Sequence, residues 1–493
     1  MPLVRLIAVI LVLIGTLVSP NVDQRAAADP GDLSLLAPGQ HLFIWKGLDP
    51  WTDLPAATQQ ELAAKYQTAV DSGMDVGFIS VDWAQLEPEE GVYDKDALQG
   101  PLHDVRALDQ QIIVNINTFD SESLVIPDYL LDPDNPDTFK SDLQFADNPV
   151  VLEAWHNLLD WAIPMILEAG GVAISVGNEI DNRWSDLYEQ YAEQHDTSAA
   201  NDPYYGDYDR LRTDAAAFAD QETPHNVAFI NDSRAYIRAM DNAEDLAVTI
   251  TVRRTGAKHN SRDPRFFRCI KDYIGASDVV LWNYYGQIEN GFSDPEEDYS
   301  NDFLVESPDT IPGALDLMEQ YSGGKPMMIQ EAGFPAGASL NSSGQHQQDW
   351  FQTLFAELAK RPAWRAIGVF LMVDPSNAFI DSYIQPIADS LPEPFKTRIM
   401  DMYHSYGLNK LADGSARPAW STFLAAITQS RSTHGVSSRS TDQLPPIPSS
   451  ANQAIAETRP WYGRNRAAYC CPHRATSASS IDRRSLDRRT VVA

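Results

Sequence analysis

Eight short runs of near-continuous apolar residues recur along this chain, each followed by a longer stretch with helical spacing. The runs cover His41–Trp45, Val76–Asp82, Gln111–Asn117, Val172–Asn178, Ala247–Arg253, Val279–Tyr284, Pro326–Glu331 and Ile367–Val373. They are rich in Val, Ile, Phe and Met and do not alternate strictly. That composition suits strands buried on both faces, the condition of a parallel sheet covered by helices. Between them, Thr58–Ser72 sets Leu62, Ala63, Tyr66 and Val70 at helical spacing, and Val150–Ala169, Val227–Ala239 and Gln347–Arg361 read the same way. Eight strand–helix repeats in roughly 400 residues predict an α/β fold of the (β/α)8 TIM-barrel type with long βα loops. A doubly wound open sheet is the alternative, but no Gly-rich phosphate loop follows an early strand.

Two of the runs finish unusually. Val176-Gly177-Asn178-Glu179 and Met327-Met328-Ile329-Gln330-Glu331-Ala332-Gly333 each lead from hydrocarbon into a glutamate. Burying an unpaired charge is costly, so a carboxylate in such a place calls for a use. About three strand–helix units separate Glu179 from Glu331, and a barrel brings the ends of its strands to one open face. Two carboxyls across a cleft answer the needs of glycosidic bond cleavage. One protonates the leaving oxygen, and the other attacks or stabilises the oxocarbenium-like centre.

The ends of the chain differ from its middle. Met1-Pro2-Leu3-Val4-Arg5 is a short basic start, Leu6 to Val18 is apolar, and Ala26-Ala27-Ala28 offers a small-residue cleavage site. Residues 1–28 read as a secretory signal, too short for a comfortable membrane span. A secreted, extracellular or periplasmic protein with no membrane attachment after cleavage is expected. Residues 29–429 form the barrel domain on this reading. Residues 430–493 hold ten arginines, no lysine and four acids among Ser, Thr and Pro, with no hydrophobic period, and read as a disordered tail. Only Cys269, Cys470 and Cys471 occur, so stability is expected from a packed core rather than from disulfides. The net charge of −32 argues against nucleic acid, whose phosphates require a basic surface.

The chain resembles the retaining glycoside hydrolases of clan A, among them β-galactosidases, endo-galactanases, β-glucanases and β-mannanases. Four passages carry the likeness: the segment Trp83 to Asp94 after the second strand, Gly177-Asn178-Glu179 at the fourth, Gln330-Glu331-Ala332-Gly333-Phe334-Pro335 at the seventh, and Asp413 to Trp420 before the last helix. It extends over about residues 35 to 428. What it implies is a (β/α)8 barrel with Glu179 as acid/base and Glu331 as nucleophile. Many members end strand eight on tryptophan, where this chain has Phe370-Leu371-Met372-Val373-Asp374.

Chemistry assigns the neighbours provisional roles. Burial and a neighbouring carboxylate should keep Glu179 protonated at rest, and hydrogen-bond donors should keep Glu331 ionised. Asn178 is placed to hold Glu331 or a sugar hydroxyl. Tyr284 at the end of strand six could donate to Glu331, with Tyr285 the alternate if the register is off by one. Trp45 and Trp83 could line sugar subsites or pack the barrel top, and Asn117 could reach a hydroxyl. Arg253 could bind substrate or pair with an acid, and Glu87 orders the second loop. The aromatic stretch Asp181 to Pro224 offers either sugar platforms or a local core; the acidic stretch Gln287 to Asp309 lacks the ligand spacing of an EF-hand. No His-x-His or His-Glu-x-x-His cluster points to a metal, and no cofactor is expected. The functional expectation is a monomeric β-glycosidase acting on a β-linked poly- or oligosaccharide. A catalytically idle carbohydrate-binding barrel, or a transglycosylase using the same pair, is the alternative.

Overall fold

Hydrogen bonding between the apolar runs produces one eight-stranded parallel sheet, described by a computed structural model for residues 41–46, 54–121, 123–140, 145, 148–288 and 301–433. The expected leader, residues 1–28, and nearly all of the expected tail, residues 430–493, lie outside those residues. Its strands are β1 His41–Ile44, β2 Val76–Asp82, β3 Gln111–Asn117, β4 Gly171–Ser175, β5 Ala247–Arg253, β6 Val279–Tyr285, β7 Met327–Gly333 and β8 Trp364–Val369. Each pairs with its neighbour in sequence from β2 to β8, and β8 pairs with β1. At the ends of that order Phe43 of β1 stacks on Phe78 of β2, with ring centroids 5.5 Å apart and planes within 8°. Trp45 stacks on the same Phe78 ring at 4.8 Å. The result is a nearly closed (β/α)8 barrel, and β7 is buried along its whole length as a strand between interior and helices must be.

Local signals fix the covering helices. Asn148 caps Pro149–Ala169 by accepting a hydrogen bond from the Val150 amide at 2.9 Å, with Pro149 at a position that needs no donor. Gly73 and Gly170 end their helices in the left-handed conformation, which glycine adopts without strain. The helices Ala56–Ser72, Thr223–Ala239 and Gly344–Leu358 contain the segments predicted for them, apart from the last three residues of Gln347–Arg361. Among the described residues, no helix is long and apolar enough to cross a membrane.

Among the described residues, the stretch after β3 adds two short antiparallel pairs, Phe119–Asp120 with Ser123–Leu124 and Leu131–Asp132 with Asn135–Phe139, and insertions after β4 and β8 also depart from a plain repeat. After β4 the chain forms helices Asp181–Glu193 and Tyr208–Ala219, and their aromatic residues turn inward. Trp184 stacks on Tyr188 at 5.5 Å and meets Phe267 at 4.6 Å, so of the two readings of this stretch the local core holds for these residues. After β8 a second small core gathers Phe370, Leu371, Ile380, Ile384, Ile399, Met402 and Tyr406. That insertion was not anticipated from the sequence. Arg417 closes it with two parallel hydrogen bonds to Asp374, at 2.9 and 2.8 Å, immediately before the last helix Pro418–Thr433.

Candidate active site

A fault in strand register places the two glutamates. Against β6, Ile329 of β7 pairs with Trp282 while Glu331 pairs with Asn283, so one extra residue, Gln330, stands in β7. The ladder with β8 slips over the same stretch, from Ile329 to Ala332. In a regular strand successive side chains point to opposite faces. The bulge breaks that alternation, so that Gln330 and Glu331 both reach polar partners on the interior side. Glu331 is 5% exposed. Its Oε1 accepts from Gln330 Nε2 at 3.2 Å, and its Oε2 accepts from the Tyr285 hydroxyl.

Glu179 arrives by a different device. Beyond Ser175 the backbone keeps step with β5 through Val176 N to Thr249 O at 3.0 Å and Thr251 N to Gly177 O at 3.1 Å. Glu179 then turns the chain with φ at +49°, a left-handed conformation that costs a side-chain-bearing residue about 1–3 kcal/mol. The turn leads into helix Asp181–Glu193 and leaves the carboxyl half-buried. Asn283 Nδ2 donates to its Oε1 at 2.9 Å, and the Ser121 hydroxyl to its Oε2 at 3.0 Å.

Asn178 joins the two centres. Its Oδ1 accepts from Gln330 Nε2 at 2.9 Å and from Asn283 Nδ2 at 3.4 Å, while its Nδ2 donates to Asp120 at 3.0 Å. Each of those amides also serves one glutamate. Burial pushes both glutamic carboxyls above the ordinary carboxylate range. For Glu331 the negative charge of Glu179 adds to the rise, and the Tyr285 and Gln330 hydrogen bonds oppose it. For Glu179 the nearby Arg253 guanidinium and Asn283 oppose it. Two carboxyls so coupled retain a proton between them at a pH where free carboxylates hold none.

No protein-family model matches the chain, and no curated protein matches it in sequence. Solved structures do. A GH5_18 variant from Bifidobacterium longum subsp. longum, in complex with Manβ1-4GlcNAc, aligns with a TM-score of 0.51 at 14% identity, covering 80% of this chain and 79% of that one. GH5_18 from Bifidobacterium longum subsp. infantis aligns with a TM-score of 0.50 at 11% identity over the same shares. The chain shares the barrel fold of these GH5_18 proteins. At such identity the likeness is one of fold.

The other residues singled out in the sequence divide sharply. Tyr284 is 0% exposed, packed against Trp350 at 5.3 Å and beneath the Arg254 guanidinium at 4.9 Å, and the hydrogen bond expected of it is made by Tyr285. Alternation along β6 is the reason: Asn283 and Tyr285 face the carboxyls, and Tyr284 faces the helices. Trp83, also 0% exposed, lies against Trp155 at 5.0 Å and donates to Glu87 at 2.7 Å, so of its two readings the packing one describes its surroundings. Glu87 further accepts from the Gly91 amide and the Tyr129 hydroxyl, which orders the second loop as expected. Asn117 is bound to Ser80, Asp82 and Asn115 inside the barrel rather than presented to the cleft. Asn178 touches Glu331 only through Gln330. Arg253 pairs with the buried Asp181 at 3.1 Å. Trp45 remains beside the site: it is half-buried, donates to the Gln330 carbonyl at 3.2 Å and faces Phe370 at 6.4 Å.

Four residues of the site escaped the sequence reading: Asp120, Ser121, Asn283 and Gln330. The last two stand inside β6 and β7, and no local signal marks the bulge that turns Gln330 inward. Asp120 ends the two-residue strand Phe119–Asp120 after β3 and Ser121 lies in the turn to Ser123–Leu124, a pair too short to show a period. Among the described residues, no group of three or more His, Cys, Asp or Glu is arranged to hold a metal ion.

Proposed function

We propose that this chain is an exported retaining β-glycosidase acting on a β-linked poly- or oligosaccharide, with Glu331 as nucleophile and Glu179 as acid/base. One observation carries the reading: two carboxyls, each with its own pair of donors, are joined through the amides of Gln330, Asn178 and Asn283 beyond the fourth strand and within the seventh. Shared fold with GH5_18 proteins supports it. The leader composition supports export.

The roles follow from the surroundings. Glu331 is almost wholly enclosed, and the donors on its two oxygens oppose burial without overcoming it. Its carboxyl is pushed up to about 8 and that of Glu179 to about 7, the reverse of the order expected from the sequence. The role of Glu331 therefore rests on its enclosed position and not on its resting charge. Glu179 is more exposed, in the turn before helix Asp181–Glu193, where a leaving oxygen can approach. In the first step Glu331 attacks the anomeric carbon while Glu179 gives its proton to the departing oxygen, leaving a glycosyl ester on Glu331 and an anionic Glu179. The ester carries no charge, so the proton affinity of Glu179 rises no further from its neighbour. It takes a proton from water, whose oxygen displaces Glu331 and restores the pair.

Glu331→Ala should abolish cleavage of aryl β-glycosides, and added azide should restore turnover with formation of the inverted glycosyl azide. Unchanged activity in that variant would end the assignment. The substrate panel should include a β-mannosyl disaccharide, since the solved GH5_18 complex contains Manβ1-4GlcNAc. Product ratios at rising sugar concentration separate hydrolysis from transglycosylation.

A further inference from the structure

Gln330 takes no part in bond making on the mechanism above, yet it is 1% exposed and every polar atom of its side chain is engaged. Its orientation can be traced outward to a fixed end. Asp120, when ionised, only accepts hydrogen bonds, so it sets Asn178 with Nδ2 toward itself and Oδ1 toward the interior. Asn178 Oδ1 in turn requires an N–H from Gln330, which it receives at 2.9 Å. The carbonyl end of the Gln330 amide is then left for the Thr251 hydroxyl, which donates to it. The same amide N–H group lies 3.2 Å from Glu331 Oε1. Below, the Gln330 backbone carbonyl accepts from Trp45 Nε1.

We propose that Gln330, delivered by the β7 bulge, is the positioning residue for attack by Glu331, holding one carboxylate oxygen while the Tyr285 hydroxyl holds the other. The proposal rests on Glu331 being the nucleophile. With a donor on each oxygen the carboxylate plane cannot turn, and the attacking lone pair keeps its aim. Asn178 extends the effect. Its Oδ1 also accepts from Asn283, whose amide serves Glu179, so a shift of the Gln330 amide is passed to the acid/base as well.

Gln330→Met retains length and removes the donor. Thr251→Val removes the hydroxyl that sets the amide, and Thr251→Ser retains it. Two readouts apply to all three: the pH dependence of kcat/KM, and titration of the Glu331 carboxyl by infrared difference against the corresponding Glu331→Gln protein. Gln330→Met should protonate Glu331 at a pH higher by about one unit and lower kcat by roughly 10–100-fold with KM little changed. Thr251→Val should move both in the same direction by less, and Thr251→Ser should behave as the parent. Wild-type titration of Glu331 in both Gln330→Met and Thr251→Val overturns the proposal, whatever happens to rate or melting temperature. Should Gln330→Met fail to fold, equal titration in the Val and Ser variants overturns it alone. The infrared readout needs no turnover. A parent protein inactive on every glycoside would therefore refute the glycosidase reading, while the titration still decides whether Gln330 holds Glu331.

Discussion

At the scale of single residues, the site is a contest between burial and donated hydrogen bonds. Burial raises the proton affinity of Glu331 in the fold above its value in the open chain. Such a group stabilises the fold while protonated, and that contribution is lost as pH rises through its folded value. Glu331→Gln removes the loss, so its melting temperature should exceed that of the parent by a few degrees at pH 8 and match it near pH 4, read by calorimetry. An equal difference at both pH values would disprove the linkage. The two tyrosines of β6 give a paired test. Tyr285→Phe deletes a donor to a carboxylate, worth about 1.5–3 kcal/mol, and should lower kcat/KM by roughly 10–100-fold, whereas Tyr284→Phe should leave it unchanged. The glutamates could be read because a carboxylate closing a hydrocarbon run is rare. The choice between Tyr284 and Tyr285 could not, because it turns on strand parity, which a single sequence leaves free by one residue.

At the scale of elements, β2, β3 and β5 begin and end where their apolar runs do, β1 and β6 differ by one residue at one end, and β4, β7 and β8 differ at both ends. Glu331 stands in β7, and Glu179 follows β4. In β7 the irregularity is the bulge, and no local propensity announces it because Gln330 is an ordinary strand residue. Its neighbour Gly333 is more telling. A Cβ there would lie 2.5 Å from Tyr285 Cδ1, and that ring is confined by Phe370 at 5.2 Å and Tyr406 at 5.7 Å. Gly333→Ala should cost about 1–3 kcal/mol in overpacking and lower kcat/KM at least as far as Tyr285→Phe does, measured by denaturation and by rate. Full activity in the alanine variant would mean that the ring has room to move. Phe370 thus forms part of the wall behind Tyr285.

At the scale of the whole molecule, the order of eight strands could be read from the sequence and the insertion after β8 could not. Ile380 and Ile384 sit on one π turn, Ala388 on a six-residue helix and Ile399 with Met402 on the nine-residue Phe395–Tyr403, pieces too short to show a sustained period. What ties the insertion to the barrel is the buried Asp374–Arg417 pair, which also engages the Gly407 backbone. Arg417→Met leaves a buried carboxylate without its partner and should cost about 3–5 kcal/mol in urea unfolding, and Asp374→Leu in the same chain should recover most of that. A small loss in the single variant would mean that Asp374 is reached by water. The extra residue of β7 has a bearing beyond its own site. Set Gln330 aside and the strand is regular, with Ile329 toward the helices and Glu331 toward the cleft. A chain shortened at that position would keep the carboxylate toward the cleft but lose the amide that holds its Oε1, so a length change inside this barrel strand would cost aim rather than direction.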